Sequence, residues 1–565
     1  VSSAGAADAT LAPRVFYDAH VFTAEPYAPY ADAVAIAGDR IVAVGDFAKV
    51  KAAAGPGATL IDLHGKFLMP GMLDAHAHPI WGGLSVIEPN FPAIGVAIPK
   101  LTAFVEKVIA SGKGRFGDAV QIYGLDIEYW SHAAELERIF SKGKFAQQPI
   151  VLIGSDGHTS WGNAPARERA GITPDFVKGL SAEDKKFYGV DPHGALTGFV
   201  VDEGQTKLQR AMPPPSEDLL HEASLAAIHY MNGIGITGWL DAAASGVVGG
   251  DIPASLDDPG FFPIYLKLSK SGELTAHVAA YPVVHPDGGS QQIAVAKSFR
   301  DKYQNPPDLL VPGLKVFADG VVEIPSQTAA LTKPYASGRM TPVLFTPDLF
   351  AQLVTEADKD GLIVHVHAIG DLAVKAALDG FAAARKANGP AKLQHTITHA
   401  QFVDPEDIPR FADLGVIAAL QLLWAVADPS TNEVVKPYID PAIYRTMYPA
   451  RSLLDSGAII AGASDWPVSS ANPFEAIYQA ETRKGPQGVL FPAERMPREA
   501  MLYAYTRNAA QVLGQLDRIG TIEPGKQADL VLLDRDVLTA TAEESRDTKV
   551  VWTLFGGKTV YGTGP

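Results

Sequence analysis

Apolar and polar positions change rhythm twice along the chain. Near the start, "RVFYDAHVFT" and "AVAIAGDRIVAVGD" alternate around Gly38-Asp39, which predicts short strands joined by a hairpin turn. The same rhythm returns at the far end in "ADLVLLDRD" and "KVVWTLFGGKTVYG", with a second turn at Gly556-Gly557. Neither set of strands is stable alone, so both ends are expected to build one small β domain, residues 10–68 with 516–565. Between them the pattern becomes apolar strands alternating with helical stretches such as "TPDLFAQLVTEADKDG" and "DLAVKAALDGFAAARKANG". Strand followed by helix, repeated, predicts a parallel α/β architecture.

Seven strand-like runs can be picked out at 235–242, 275–284, 313–320, 361–371, 393–401, 415–421 and 457–467, and "GMLDAHAHP" (71–79) supplies an eighth. Eight parallel strands close a barrel. Two further runs, "AVQIYGLD" and "PIVLIGSDGH", exceed that count, so residues 81–230 are read as a lobe inserted after the first strand. The expected fold is therefore a distorted TIM (β/α)8 barrel over residues 69–515, with a small β-sandwich domain built from both chain termini and a large insertion.

Composition narrows the chemistry. The net charge of -16, with no clustered Lys/Arg patch, argues against a nucleic-acid partner. No apolar run approaches the roughly 18 residues that span a bilayer. There is no cysteine, so thiolate nucleophiles, disulfides and Cys-held zinc are excluded. A metal would need His, carboxylate or a modified side chain. Val1 precedes the small-residue tract "SSAGAADAT", which fits the remainder of a removed export signal as well as simple trimming, and export is slightly preferred to a cytoplasmic location.

In a parallel barrel the reactive groups stand at the C-terminal ends of the strands. His76 and His78, one residue apart on a strand, project from the same face, a geometry that suits a metal ion. An isolated H-x-H pair is more often a surface feature, but four later strand endings match it: Lys315 in "GLKVFADG", His367 in "VHVHAIGD", His399 in "TITHAQ" and Asp465 in "GASDWP". Singly, a histidine there is usually a hydrogen-bonded core group, and an Asp before Trp-Pro can shape a turn. A lysine inside an apolar strand must be paired, neutralised or modified. His365 and His395 share a strand face with His367 and His399, and are expected to lie deeper, in the barrel core or behind the ligands.

"PGMLDAHAHP", "LKVFADG", "VHAIGD", "THAQFV", "ASDWPV", "AYTRNAA" and "IGTIEPGKQADLVLLD" together resemble the amidohydrolase superfamily of metal-dependent barrel hydrolases, and most nearly the branch that includes N-substituted formamide deformylase. The resemblance covers nearly the whole chain. It implies a binuclear site, with His76, His78 and Asp465 on one divalent metal, His367 and His399 on the second, and a carboxylated Lys315 bridging them. Zn suits these ligands best, and Fe, Mn or Co are accommodated. The implied reaction is hydrolysis of a C–N bond, amide or formamide, by a metal-activated hydroxide, with Asp465 as general base and then acid. "GSDGHTSWGN" resembles the stretch from which a His and an Asn reach the site, making His158 and Asn163 candidate substrate contacts.

Trp81, Trp424 and Trp466 follow ligand-bearing or neighbouring strands and are expected to line the pocket, which would favour a neutral or weakly acidic, apolar and aromatic small molecule. Ordinary core packing is the competing reading of these rings. A serine hydrolase is disfavoured because Ser464 stands in G-x-S-x-W and not in G-x-S-x-G. Hydrolysis of an ester, lactone or other C–O bond at the same centre, or a non-catalytic protein that keeps the fold, remain as alternatives. The partner expected is the small-molecule substrate, and a homo-oligomer is compatible.

Overall fold

In the computed structural model, which describes residues 12–91, 97–182, 184–245, 255, 257–324 and 326–564, the alternation at the two ends produces a single hydrogen-bonded sheet. Arg14–Phe22 pairs in parallel with Thr59–Pro70, and the other edge of Thr59–Pro70 takes Leu530–Leu533 antiparallel. The two termini are thereby joined by main-chain hydrogen bonds. Both expected hairpins form, Ala37 opposite Arg40 across Gly38-Asp39 and Phe555 opposite Lys558 across Gly556-Gly557. Gly38, Gly556 and Gly557 have positive φ, the conformation these tight turns require.

The middle of the chain forms a closed parallel barrel. Its strands are β1 (Met72–Ala77), β2 (Ile236–Asp241), β3 (His277–Ala280), β4 (Gly313–Phe317), β5 (Ile363–Ala368), β6 (Thr396–His399), β7 (Ile417–Leu420) and β8 (Ile460–Gly462). β1, β2 and β3 pair in sequence, and β4 to β8 do likewise. Val283 opposite Lys315 joins β3 to β4. Closure comes from two bonds: Asp465 N donates to His76 O at 2.8 Å, and His78 N donates to Trp466 O at 2.8 Å. These bonds draw the ends of β8 and β1 together. That is where the polar residues stand.

Strand periodicity sorts the side chains. On β4 and β5, Leu314, Val316, Val364 and Val366 join the large apolar cluster with Phe350, Leu353 and Phe381 of the covering helices. Their alternates Lys315, Phe317, His365 and His367 face the other way. All eight of these strand residues are nearly or fully buried, so each aliphatic one contributes about 1.5–3 kcal/mol to holding the helices on the barrel.

Between β1 and β2 the chain builds a separate six-stranded sheet spanning 115–201, and the two surplus strand-like runs form a parallel pair within it, Ala119–Leu125 and Ile150–Gly154. No helix among the described residues is long and apolar enough to cross a membrane.

Candidate metal centre

β1 ends in His76 and, immediately after it, His78. The Nε2 atoms of both rings lie 3.1 Å from Asp465 Oδ1. His399 completes a cluster in which one ligand atom each from His76, His399 and Asp465 lies within 4.8 Å of the others. The His367 and His399 rings are 4.5 Å apart, and those of His76 and His399 5.0 Å. The structure thus brings together His76, His78, His367, His399 and Asp465, all buried, at the mouth of the barrel. Lys315 is fully buried below them.

Two of these residues reach the centre through unusual backbone. Thr396 and Thr398 on β6 face inward and Ile397 faces the helices, so simple alternation would send His399 outward. His399 instead has φ 70°, and the left-handed turn swings its ring inward. Asp465 has φ 58°. Such conformations cost roughly 1–2 kcal/mol for an L-residue and are typical of functional sites.

Partners behind the rings set their orientation. His399 Nδ1 faces Gln421 Oε1 at 2.9 Å, His367 Nε2 donates to Gly320 O at 3.1 Å, and His76 Nδ1 lies 2.6 Å from His365 Nε2. Asp74 braces the β1–β8 closure, accepting from the His76 and Ser464 amides, both at 3.1 Å, and from Ser464 Oγ at 2.5 Å. None of Gln421, Gly320 or Asp74 is marked by sequence reasoning. A periodic reading of β1 could have found Asp74, which shares its face with His76 and His78.

The electrostatics are those of a dry site short of charge compensation. Burial pushes the Lys315 amine down to about 7, and Nζ has no hydrogen-bond partner. Burial, then the Lys315 charge, holds His76 and His367 well below the ordinary histidine range, while for His399 burial is followed by His367. For Asp465 burial acts upward but is outweighed by the close His78 ring and the other surrounding positive groups, so its carboxyl is lowered. Asp465 Oδ1, although close to two rings, receives no directed hydrogen bond, and His78 Nδ1 has none either. Buried polar atoms without partners are costly. A divalent cation beside His76, His399 and Asp465 would satisfy the carboxylate and the ring lone pairs, so the residues fit a metal.

Beyond these ligands the sequence expectations divide. His158 sits in the turn between lobe strands Ile150–Gly154 and Thr159–Gly162, with its ring 5.8 Å from that of His367. Its Nδ1 is 2.7 Å from Asp202 Oδ1; burial alone would lower it, but the Asp202 bond and charge raise it to about 9. Trp424 stacks on His399 with centroids 5.5 Å apart and planes within 7°. Trp81 lines a cleft of ≈ 360 Å³ between lobe and barrel, packed edge-on to Phe261 at 5.1 Å.

Three expectations need correction. Asn163 is not a substrate contact: its Oδ1 accepts from Ile150 N and Ala166 N, and its Nδ2 donates to Phe140 O and Gln148 O, so the amide is consumed in capping a lobe helix. Trp466 turns away from the metal ligands, its ring stacked on Tyr230 at 4.9 Å and pressed against Gly82. Only its main chain serves the site. His395 points into the helix layer, stacked on Phe381 at 5.0 Å with Nε2 3.1 Å from Asp358 Oδ1, because it stays on the outer side of β6 that His399 leaves.

Residues 59–561 match the model of the Amidohydrolase family. The chain is 28% identical to the protein LONG AFTER FAR-RED 3 of Arabidopsis thaliana over 96% of its own length and 90% of that protein's. It is 25% identical to the N-substituted formamide deformylase of Arthrobacter pascens, over 96% and 97% respectively. Its fold matches an uncharacterized metal-dependent hydrolase from Pyrococcus horikoshii OT3 with a TM-score of 0.71 at 20% identity, covering 94% of this chain and 99% of that one. A family model that spans residues 59–561, most of the sequence, places this chain in the amidohydrolase family.

Proposed function

We propose that the protein hydrolyses a C–N bond, amide or formamide, in a hydrophobic and aromatic small molecule. The observation that carries this reading is the convergence of His76, His399 and Asp465 within 4.8 Å in a buried site, with His78, His367 and Lys315 beside them. His76, His78 and Asp465 would hold one divalent ion, Zn by preference, and His367 and His399 a second, with a carboxylated Lys315 between them. Bound there, the ions would polarise the scissile carbonyl and acidify water. Asp465, the one carboxylate in the cluster, takes the proton of the attacking water at its carboxylate and delivers it to the leaving nitrogen. His158, whose Nδ1 meets Asp202 and whose ring lies 5.8 Å from that of His367, would donate to the carbonyl oxygen as negative charge develops on it.

The substrate's apolar group is assigned to the cleft lined by Trp81, Phe116, Tyr123, Met212 and Phe261, where the buried Trp81 Nε1 has no partner of its own. The same reading divides the chain into the composite terminal β-sandwich (10–68 with 516–565) and the barrel (69–515) bearing the lobe (81–230).

The experiment is a comparison of aryl-substituted with short aliphatic amides and formamides by kcat/KM, in the native protein and in Trp81→Ala. An aryl preference that Trp81→Ala removes supports the assignment. A flat profile, or turnover confined to esters and lactones, overturns it.

A further inference from the structure

We infer that His365, a residue with no part in the mechanism above, is a positioning residue for the metal centre: it accepts the Nδ1 proton of His76 and thereby fixes the His76 tautomer whose Nε2 faces the metal. The inference rests on the reading that His76 is a metal ligand.

His365 is completely buried on the inner side of β5, in register with Lys315 on β4. Its Nε2 lies 2.6 Å from His76 Nδ1, and the rings are 4.9 Å apart at 27°. At that separation one proton must lie between the two nitrogens, since two lone pairs or two protons would repel. The other nitrogen of His76 faces the opposite way, 3.1 Å from Asp465 Oδ1. When a cation takes the Nε2 lone pair, neutral His76 must carry its proton on Nδ1, and His365 Nε2 is the acceptor. His365 then carries its own proton on Nδ1, where it meets Thr396 Oγ1. The chain from Thr396 through His365 to His76 therefore has one consistent arrangement of protons.

His365 is not itself placed as a ligand. Both of its ring nitrogens are already engaged, Nε2 with His76 Nδ1 at 2.6 Å and Nδ1 with Thr396 Oγ1. The other rings lean on acceptors of the usual kind, Gln421 Oε1 for His399 and Gly320 O for His367. Among the described residues of the centre, His76 alone is backed by a second imidazole.

The test uses the full-length protein loaded with Zn or Co(II), comparing wild type with His365→Ala, His365→Gln and Thr396→Val. The readouts are metal stoichiometry, metal affinity by chelator competition, and the visible spectrum of the Co(II) form. Circular dichroism confirms folding. His365→Ala should keep the wild-type number of metal equivalents, bind them ~10–100-fold more weakly and shift the Co(II) bands. His365→Gln, whose amide oxygen can still accept from His76, should recover most of the affinity, and Thr396→Val should weaken binding by a smaller factor. If His365→Ala does not fold, the order wild type, His365→Gln, Thr396→Val decides on the same scale. Wild-type affinity and spectrum in all variants would overturn the inference. So would loss of a whole metal equivalent in both His365 variants, since His365 would then be a ligand. A wild-type protein that takes up no metal overturns the functional reading itself, whereas a metal-loaded wild type with silent variants overturns only the role of His365.

Discussion

Replacing His277 with Gln should destabilise the protein strongly at neutral pH and hardly at all above pH 9. His277 opens β3 at the seam between the barrel and the terminal sheet, fully buried, with Nε2 2.7 Å from Asp529 Oδ2 and Nδ1 3.0 Å from Asp308 Oδ1. The second contact is an ion pair without hydrogen-bond alignment. Asp529 in turn accepts from Gly556 N at 2.8 Å, and its main-chain oxygen from Gly71 N at 2.9 Å, so the histidine ties the barrel base to the C-terminal hairpin. Burial acts to lower the imidazole, but the two carboxylates outweigh it and raise it to about 9, against 6.5 in the unfolded chain. A pKa higher in the folded state means a contribution that is complete below pH 6.5, about 3 kcal/mol, and that disappears as pH rises through 9. Denaturant midpoints of wild type and His277→Gln, measured from pH 6.5 to 9.5, isolate this group because the other titrations cancel in the difference. The gap should shrink from about 3 kcal/mol to near zero across that range. A gap that is constant with pH would refute the reasoning and reduce His277 to a packing residue.

Other outcomes follow from the site. His76→Ala and His399→Ala should each lose metal and at least two orders of magnitude in turnover, and near-normal rates in either would remove it from the ligand set. Lys315→Ala should be inactive and partly rescued by short carboxylic acids, which supply the missing anion; rescue by amines instead would exclude a carboxylated lysine. Asn163→Ala should destabilise the lobe by several kcal/mol, because it removes a helix cap and strands Phe140 O, Gln148 O and Ile150 N, while KM at the intact centre stays close to wild type. A raised KM in a fully stable Asn163→Ala variant would restore it as a substrate contact.

The barrel was legible because its strands, buried along their whole length, read as short apolar runs between helical stretches: each of the eight runs read from the sequence contains a barrel strand. The cluster of His76, His399 and Asp465 was legible for a related reason, since a polar residue ending an apolar strand has few purposes in such a fold. Legibility failed where periodicity is broken or where partners are distant in sequence. His399 enters the centre only because its φ is positive, which no alternation rule anticipates, and the same turn separates it from His395. Gln421 and His365 acquire their roles from neighbours 22 and 289 positions away. Asn163 and Trp466 were misplaced because proximity to a motif says nothing of where a side chain points. Trp466 directs its main chain to His78 and its ring to the helices.

A divalent metal is expected among His76, His78, His367, His399 and Asp465. Anomalous X-ray diffraction at the absorption edge of whatever metal co-purifies with the protein tests it most directly. Density is expected at the C-terminal end of β1, with His76, His399 and Asp465 among its ligands at about 2.0–2.2 Å. Metal-free protein that is fully active, or an anomalous peak elsewhere in the molecule, would contradict it.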